Sequence, residues 1–306
     1  MSLTSFIAEN DVKSWLKTNF PFKSPSLQPL PCIEPRTKRY AMIGTAFDYV
    51  LRFKLQHIHP HAVVKTWVAE HSTTPDALAA IAKMYGVTSA EAVKQAVSRA
   101  RMHHAAYIIS GKMSDDLLHA AIQLAQVDAF YRAGVLGIPF GVVDSEDIND
   151  LWALYNAIPA QLLTAHTVCL LNPVFTCSEL VGRADVDVVL DTTLIDIKTT
   201  KVLKITREYL HQLLGYYMLH RIGGIEGAPK KHQINTIGIY FARHGYLHTW
   251  PIADFVNPAT YPGLQKWFTH RAKQGFADPT ELADEGWGYD DPETEAYFRH
   301  VMQKDD

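Results

Sequence analysis

Cysteine is scarce in this 306-residue chain: Cys32, Cys169 and Cys177 stand at unrelated spacings. That excludes a disulfide framework and points to a reduced, cytoplasmic protein. Long apolar runs are missing too. No segment reaches about 18 consecutive apolar residues, and no basic start precedes an apolar stretch, so neither a membrane span nor a secretory signal is expected. The phosphate-cradling G-x-x-x-x-G-K-[ST] is absent, which removes an ATPase or helicase engine. G-x-S-x-G is absent as well, and no Cys/His pairing suggests covalent hydrolysis. Positive charge is not in excess, since 29 Lys and Arg face 32 Asp and Glu for a net charge of −3. A uniformly basic nucleic-acid surface is thereby excluded, and any phosphate contact must come from local patches.

What is present is a chain that can bury one sizeable core or two modest ones, being 47% apolar. The first half reads as helical. A short helix is expected over residues 4–19, then an irregular linker from Pro21 to Pro35. Further helices are expected over Met42–His57, from a Thr88-Ser89-Ala90-Glu91 capping box to about Ile109, over Asp115–Gly134 and over Asp147–Ala157. The second half begins with strands near Gln161–Leu171 and Val174–Val181. A hairpin follows over Ala184–Thr200, then a helix over Leu210–Leu219. A second hairpin joins Thr236–Ala242 to Tyr246–Ile252, and helices near Leu264–Gln274 and Thr294–Gln303 close the chain. The expected architecture is α/β: a mixed central sheet flanked by helices over residues 161–260. A large N-terminal helical region (1–160) and a helical tail (261–306) complete one compact unit.

The first hairpin carries the chemistry. With the turn centred on Asp191 and Thr192, Asp187 lies opposite Asp196 and Asp185 opposite Lys198. Side chains two apart share a strand face, so all four crowd one patch. Like charges directly opposite destabilise a sheet, and Lys198 alone does not offset three carboxylates. A divalent cation is the natural remedy, since Mg²⁺ is held by one or two carboxylates plus waters and phosphates. A lysine beside it can orient a water or offset charge developing on phosphorus. This is the outline of metal-assisted phosphodiester hydrolysis.

An Asp, a turn and then Asp196-Ile197-Lys198 resemble the PD-(D/E)XK nuclease signature. Gly182-Arg183-Ala184-Asp185 and the following Gln212 and Tyr216, one helical turn apart, are similar to the RecB-type branch and its Q-x-x-x-Y helix. The resemblance covers roughly residues 174–250, plus an upstream Ile43-Gly44-Thr45-Ala46-Phe47-Asp48. In that element the branch places a histidine ligand where this chain has Asp48. The resemblance implies a restriction-endonuclease-like αβββαβ core and a DNA hydrolase acting as an exonuclease-like enzyme. It implies Mg²⁺ or Mn²⁺ on Asp185 and/or Asp187, Asp196, the Ile197 carbonyl and Asp48, with Glu179 a further possible ligand. Lys198, Gln212 and Tyr216 complete the implied catalytic set. Some members carry a four-cysteine iron–sulfur cluster, which three cysteines cannot build.

Lys201, Lys204 and Arg207 are the expected DNA contacts. Weaker patches are Arg36, Lys38 and Arg39; Arg99, Arg101, His103 and His104; and Lys230, Lys231 and His232. Asp48 has a second reading as an exposed i, i+4 pair with Arg52, and Asp128 with Arg132 as an intrahelical pair or cleft lining. His57, His59 and His61 alternate like zinc ligands, but Pro60 interrupts them and nothing nearby completes the set. The acidic run Asp144–Asp150 reads as a helix N-cap region. Two other functions stay open: a nuclease fold that binds nucleic acid or a protein partner without cutting, and a metal-dependent enzyme acting on RNA or nucleotides.

Overall fold

The structure is a computed structural model that describes residues 2–134, 136 and 140–275. Its first two helices, α1 (Leu3–Ala8) and α2 (Asn10–Asn19), divide the expected single helix at Glu9 and bury Leu3, Phe6, Ile7, Val12 and Leu16. No helix or strand follows until Tyr40, as a run of prolines without N–H groups dictates. A helical layer then forms from α3 (Tyr40–Ile58), α4 (Val68–His71), α5 (Pro75–Tyr85), α6 (Val87–Ser110), α7 (Asp115–Ala133) and α8 (Ser145–Asn156). Within it α3 packs on α6, α7 and α8.

Helices α4 and α5 were not expected from the sequence, although Thr74 caps α5 with Pro75 in its first turn. The capping box before α6 does not form. That helix starts at Val87 behind Gly86 with no side-chain cap, and the Ser89 hydroxyl donates back to the Tyr85 carbonyl (2.8 Å).

The described residues form one six-stranded mixed sheet, in spatial order β1 (Val63–Val64), β2 (Cys169–Leu171), β3 (Val188–Leu190), β4 (Thr193–Lys198), β5 (Thr236–Phe241) and β6 (Tyr246–Pro251). β1–β2 and β4–β5 are parallel and the other pairs antiparallel. Parallel pairing of β4 and β5 needs a long crossover, which α9 (Arg207–Gly223) supplies. The expected strand over Gln161–Leu171 shrinks to β2 behind a 3₁₀ turn at Ala160–Leu163. The expected strand over Val174–Val181 is absent. Val174 and Phe175 make single bridges to Asp185 and Ile225, and the chain then enters a 3₁₀ turn at Ser178–Val181. After β6 come α10 (Ile252–Phe255) and α11 (Tyr261–Lys273). The helix expected over Thr294–Gln303 lies outside the described residues.

Alternation along the strands feeds two cores, one on each sheet face. Cys169, Leu171, Val188, Leu190, Ile195 and Tyr240 join α3, α6, α7 and α8. Leu170, Val189, Leu194, Ile237, Ile239 and Phe241 join α1, α2, α9 and α11. Asp196 and Lys198, in phase with Leu194, therefore belong to the α9 face. No helix among the described residues is long and apolar enough to cross a membrane.

Candidate active site

The β3–β4 turn fixes the register on which the site depends. Asp191 adopts a left-handed backbone (φ 50°). Its carboxylate accepts hydrogen bonds from the N–H groups of His166, Thr167 and Val168 (2.7–3.1 Å), tying the turn to the chain entering β2. The pairs Val188↔Ile195, Val189↔Leu194 and Leu190↔Thr193 are those expected for a turn centred on Asp191 and Thr192.

The ladder then stops, and its end opens the site. Asp187 does not continue the backbone pairing; its Oδ2 accepts the Ile197 N–H (2.6 Å). A residue's N–H and C=O leave a strand on the same side, so the Ile197 carbonyl faces the same gap. Asp185 is not the ladder partner of Lys198 as expected; it bridges Val174 instead.

Across the gap, Asp196 is 3% exposed. Its Oδ2 lies 2.8 Å from Lys198 Nζ and meets no donor with hydrogen-bond alignment. Lys198 Nζ donates to Gln212 Oε1 (2.9 Å) and sits over the Tyr209 ring (4.7 Å). Gln212 Nε2 in turn donates to the Tyr216 hydroxyl (2.8 Å), and Tyr216 stacks on Phe175. The strand residue and the two helix residues one turn apart thus form one hydrogen-bonded line. Burial pulls the Lys198 pKa down, but the adjoining Asp196 and the charge of Asp187 outweigh it, so its pKa is raised.

The fourth carboxylate arrives from α3. Gly44 on that helix packs beside Thr199, so α3 crosses the end of β4 one turn before Asp48. Asp48 Oδ2 accepts from Arg52 (2.5 Å), while its Oδ1 is buried without a donor. The pair with Arg52 read from the sequence exists, but it faces inward: Arg52 is 4% exposed. Its guanidinium lies over the Tyr49 ring, and the Tyr49 hydroxyl donates to Asp128 Oδ1 (2.7 Å). Asp128 accordingly bonds across helices rather than forming the intrahelical pair expected with Arg132, which is exposed.

The acids affect one another. Burial raises the Asp48 pKa against the opposing Arg52, and the charge of Asp185 raises it further. Burial lifts that of Asp187 well above the usual carboxylate range, with the charges of Asp196 and Asp48 adding to it. Tyr216 feels Asp196, Asp187 and Asp185 together, after burial, and its pKa is raised.

The donor chemistry suits a hard divalent cation, being carboxylate and carbonyl oxygen, with Asp48 Oδ1 buried without a donor and Asp196 Oδ2 met only by the poorly aligned Lys198 ammonium. Among the described residues no three His, Cys, Asp or Glu side chains are already gathered at ligand distance, so these acids are neighbours by charge rather than a closed cage.

Other expected residues lie elsewhere. Glu179 is exposed on the 3₁₀ turn rather than on a strand. Lys204 and Arg207 are exposed where the chain enters α9, but Lys201 is paired with Glu34 (3.0 Å). Arg36, Arg39 and Arg101 are held by Glu146, by Asp144 and Asp147, and by Glu70. Lys230, Lys231 and His232 line a cavity of about 430 Å³ at the far end of α9. His57 Nδ1 and His59 Nε2 bond the carbonyls of Ile108 and Leu163, which accounts for both without zinc. Asp144 caps α8 as expected. Missed by sequence reasoning were Tyr209 under Lys198 and the buried, two-bonded pair of Asp150 with Arg243 (2.9 Å each). The chain matches no family model, no curated protein and no solved structure.

Proposed function

We propose that this chain is a Mg²⁺- or Mn²⁺-dependent deoxyribonuclease of the PD-(D/E)XK type, RecB-like and exonuclease-like in action. The observation that carries the reading is the line Asp196–Lys198–Gln212–Tyr216, joined by side-chain contacts and facing Asp187 where the ladder ends. With β1 and α4 to α8 taken as an insertion between α3 and β2, the remaining order α3, β2, β3, β4, α9, β5 supports the reading, being that of an αβββαβ core.

Asp48, Asp185 and/or Asp187, Asp196 and the Ile197 carbonyl would hold the cation. When bound, it would supply Lewis-acid stabilisation of the phosphate and a more acidic water. Lys198, held beside Asp196 and Gln212, would donate to a water or to a phosphate oxygen and help position and activate the attacking water. Gln212 aims Lys198, and Tyr216, packed on Phe175, holds Gln212. Lys204 and Arg207 would meet the incoming backbone phosphates.

The test is cleavage of linear single- and double-stranded DNA, end-labelled on either strand, with Mg²⁺, Mn²⁺ or EDTA. Asp196→Ala and Lys198→Ala should each lower the metal-dependent rate by about 100-fold or more, and Gln212→Ala by about 10-fold. Circular dichroism should show all three folded. Wild-type rates in either of the first two variants would defeat the site assignment. DNA bound by the wild type but uncut with every metal would favour a non-cleaving binding module, and an RNA panel separates the third reading.

A further inference from the structure

The site holds its own cations. With a cation bound and all four carboxyls ionised, Asp48, Asp185, Asp187 and Asp196 would bring four negative charges, while Lys198 and Arg52 bring two positive ones to Asp196 and Asp48. The balance of four against two is −2, the charge that one divalent ion cancels. From α7, buried Asp128 and exposed Arg132 act on the same pair with one charge of each sign and leave that balance unchanged. Arg52 is buried and held at three points. It lies over the Tyr49 ring at 4.5 Å, donates from Nε to the Asp48 carbonyl (3.3 Å) and from Nη2 to Asp48 Oδ2. Tyr49 is itself pinned by Asp128 and by the Ala69 N–H.

Resting on the metal-site reading above, we propose that Arg52 is a positioning residue and resident counter-cation of the site. It takes one Asp48 oxygen, leaves Oδ1 as the single oxygen that Asp48 presents, and sets the formal charge for one divalent ion rather than two. Two consequences separate this from a merely structural ion pair. Removing the Arg52 charge makes the site more negative, so cation binding tightens. The same change leaves Asp48 partly buried without its partner, so the metal-free fold weakens.

The experiment is isothermal titration of the purified full chain with Mn²⁺, without DNA, alongside thermal melts of the metal-free proteins. One Mn²⁺ per wild-type chain is expected. Arg52→Gln should bind Mn²⁺ about tenfold more tightly while melting at a lower temperature without metal. Arg52→Lys, which keeps the charge, should bind Mn²⁺ with the wild-type affinity to within about threefold. Two ions per wild-type chain, or an Arg52→Gln affinity equal to or weaker than wild type, overturns the proposal. Should Arg52→Gln not fold, the Arg52→Lys affinity decides: a tenfold change in either direction overturns it. If the wild type binds no Mn²⁺, the functional reading falls and this inference with it. If it binds one ion, lost in Asp196→Asn, while Arg52→Gln changes nothing, this inference alone fails.

Discussion

Asp128 is a carboxyl inside α7, 2% exposed, whose hydrogen bond comes from the Tyr49 hydroxyl. Burial pushes its pKa up to about 6, against the opposing Tyr49 bond and the charges of Arg132 and Arg52. A carboxyl raised on folding favours the fold while protonated; that contribution is complete below the unfolded value and is lost as pH rises through about 6. Asp128→Asn keeps an acceptor for Tyr49 and carries no charge. It should therefore stabilise the protein by about 1–3 kcal/mol at pH 8 and by clearly less at pH 5. Thermal melts at the two pH values check this, and equal shifts at both would contradict the buried-charge account. Arg52 shows what the residue scale hides from sequence. Its i, i+4 spacing from Asp48 announces a pair, but only the packing of α3 against its neighbours turns that pair inward.

At the scale of elements, α9 carries the site on one turn and a helix contact on the next. A Cβ on Gly215 would fall 2.8 Å from Leu3 Cδ1 and 3.2 Å from Ile7 Cδ1, so a side chain there would have to displace the buried ends of Leu3 and Ile7, where α1 meets α9. Gly215→Val should cost about 1–3 kcal/mol and speed amide exchange in residues 3–8, with little change in β4. Protection in α1 equal to wild type would refute that role.

Elements with a strong local signal were legible. The Asp191-Thr192 turn and period-2 alternation gave the register of Val188–Leu190 against Thr193–Ile195, although the ladder ends before Asp187 could pair with Asp196, and the spacing of Gln212 and Tyr216 put both on one helix face. The miss at Val174–Val181 has a physical cause. Its apolar residues reach the core from single bridges and a 3₁₀ turn, which periodicity does not distinguish from a strand. The box before α6 failed because Gly86 took the cap two residues before Thr88. Asp150 and Arg243 are 93 positions apart, so no local pattern could join them.

Across the whole molecule the charge is nearly balanced, and several basic side chains outside the site, Arg36, Arg39, Lys65, Arg101 and Lys201 among them, already have acidic partners. DNA affinity should then depend on few phosphate contacts. Replacing Lys204 and Arg207 together by Glu should weaken binding across all sequences. It should also lower the slope of log K against log salt by about 1–2, read by fluorescence anisotropy at several salt concentrations. An unchanged slope would remove these residues from the DNA path. The chain is also closed on itself. The core on the α9 face runs from Leu3 to Ala272, and Arg271 of α11 pairs with Glu9 and Asp11 at the other end of the sequence. During synthesis α1 and α2 must therefore wait, with Phe6 and Trp15 lacking their partners Phe268 and Trp267, until α11 has emerged. A nascent chain stalled before α11 would offer that apolar surface to a chaperone, and emergence of α11 would be the step that withdraws it.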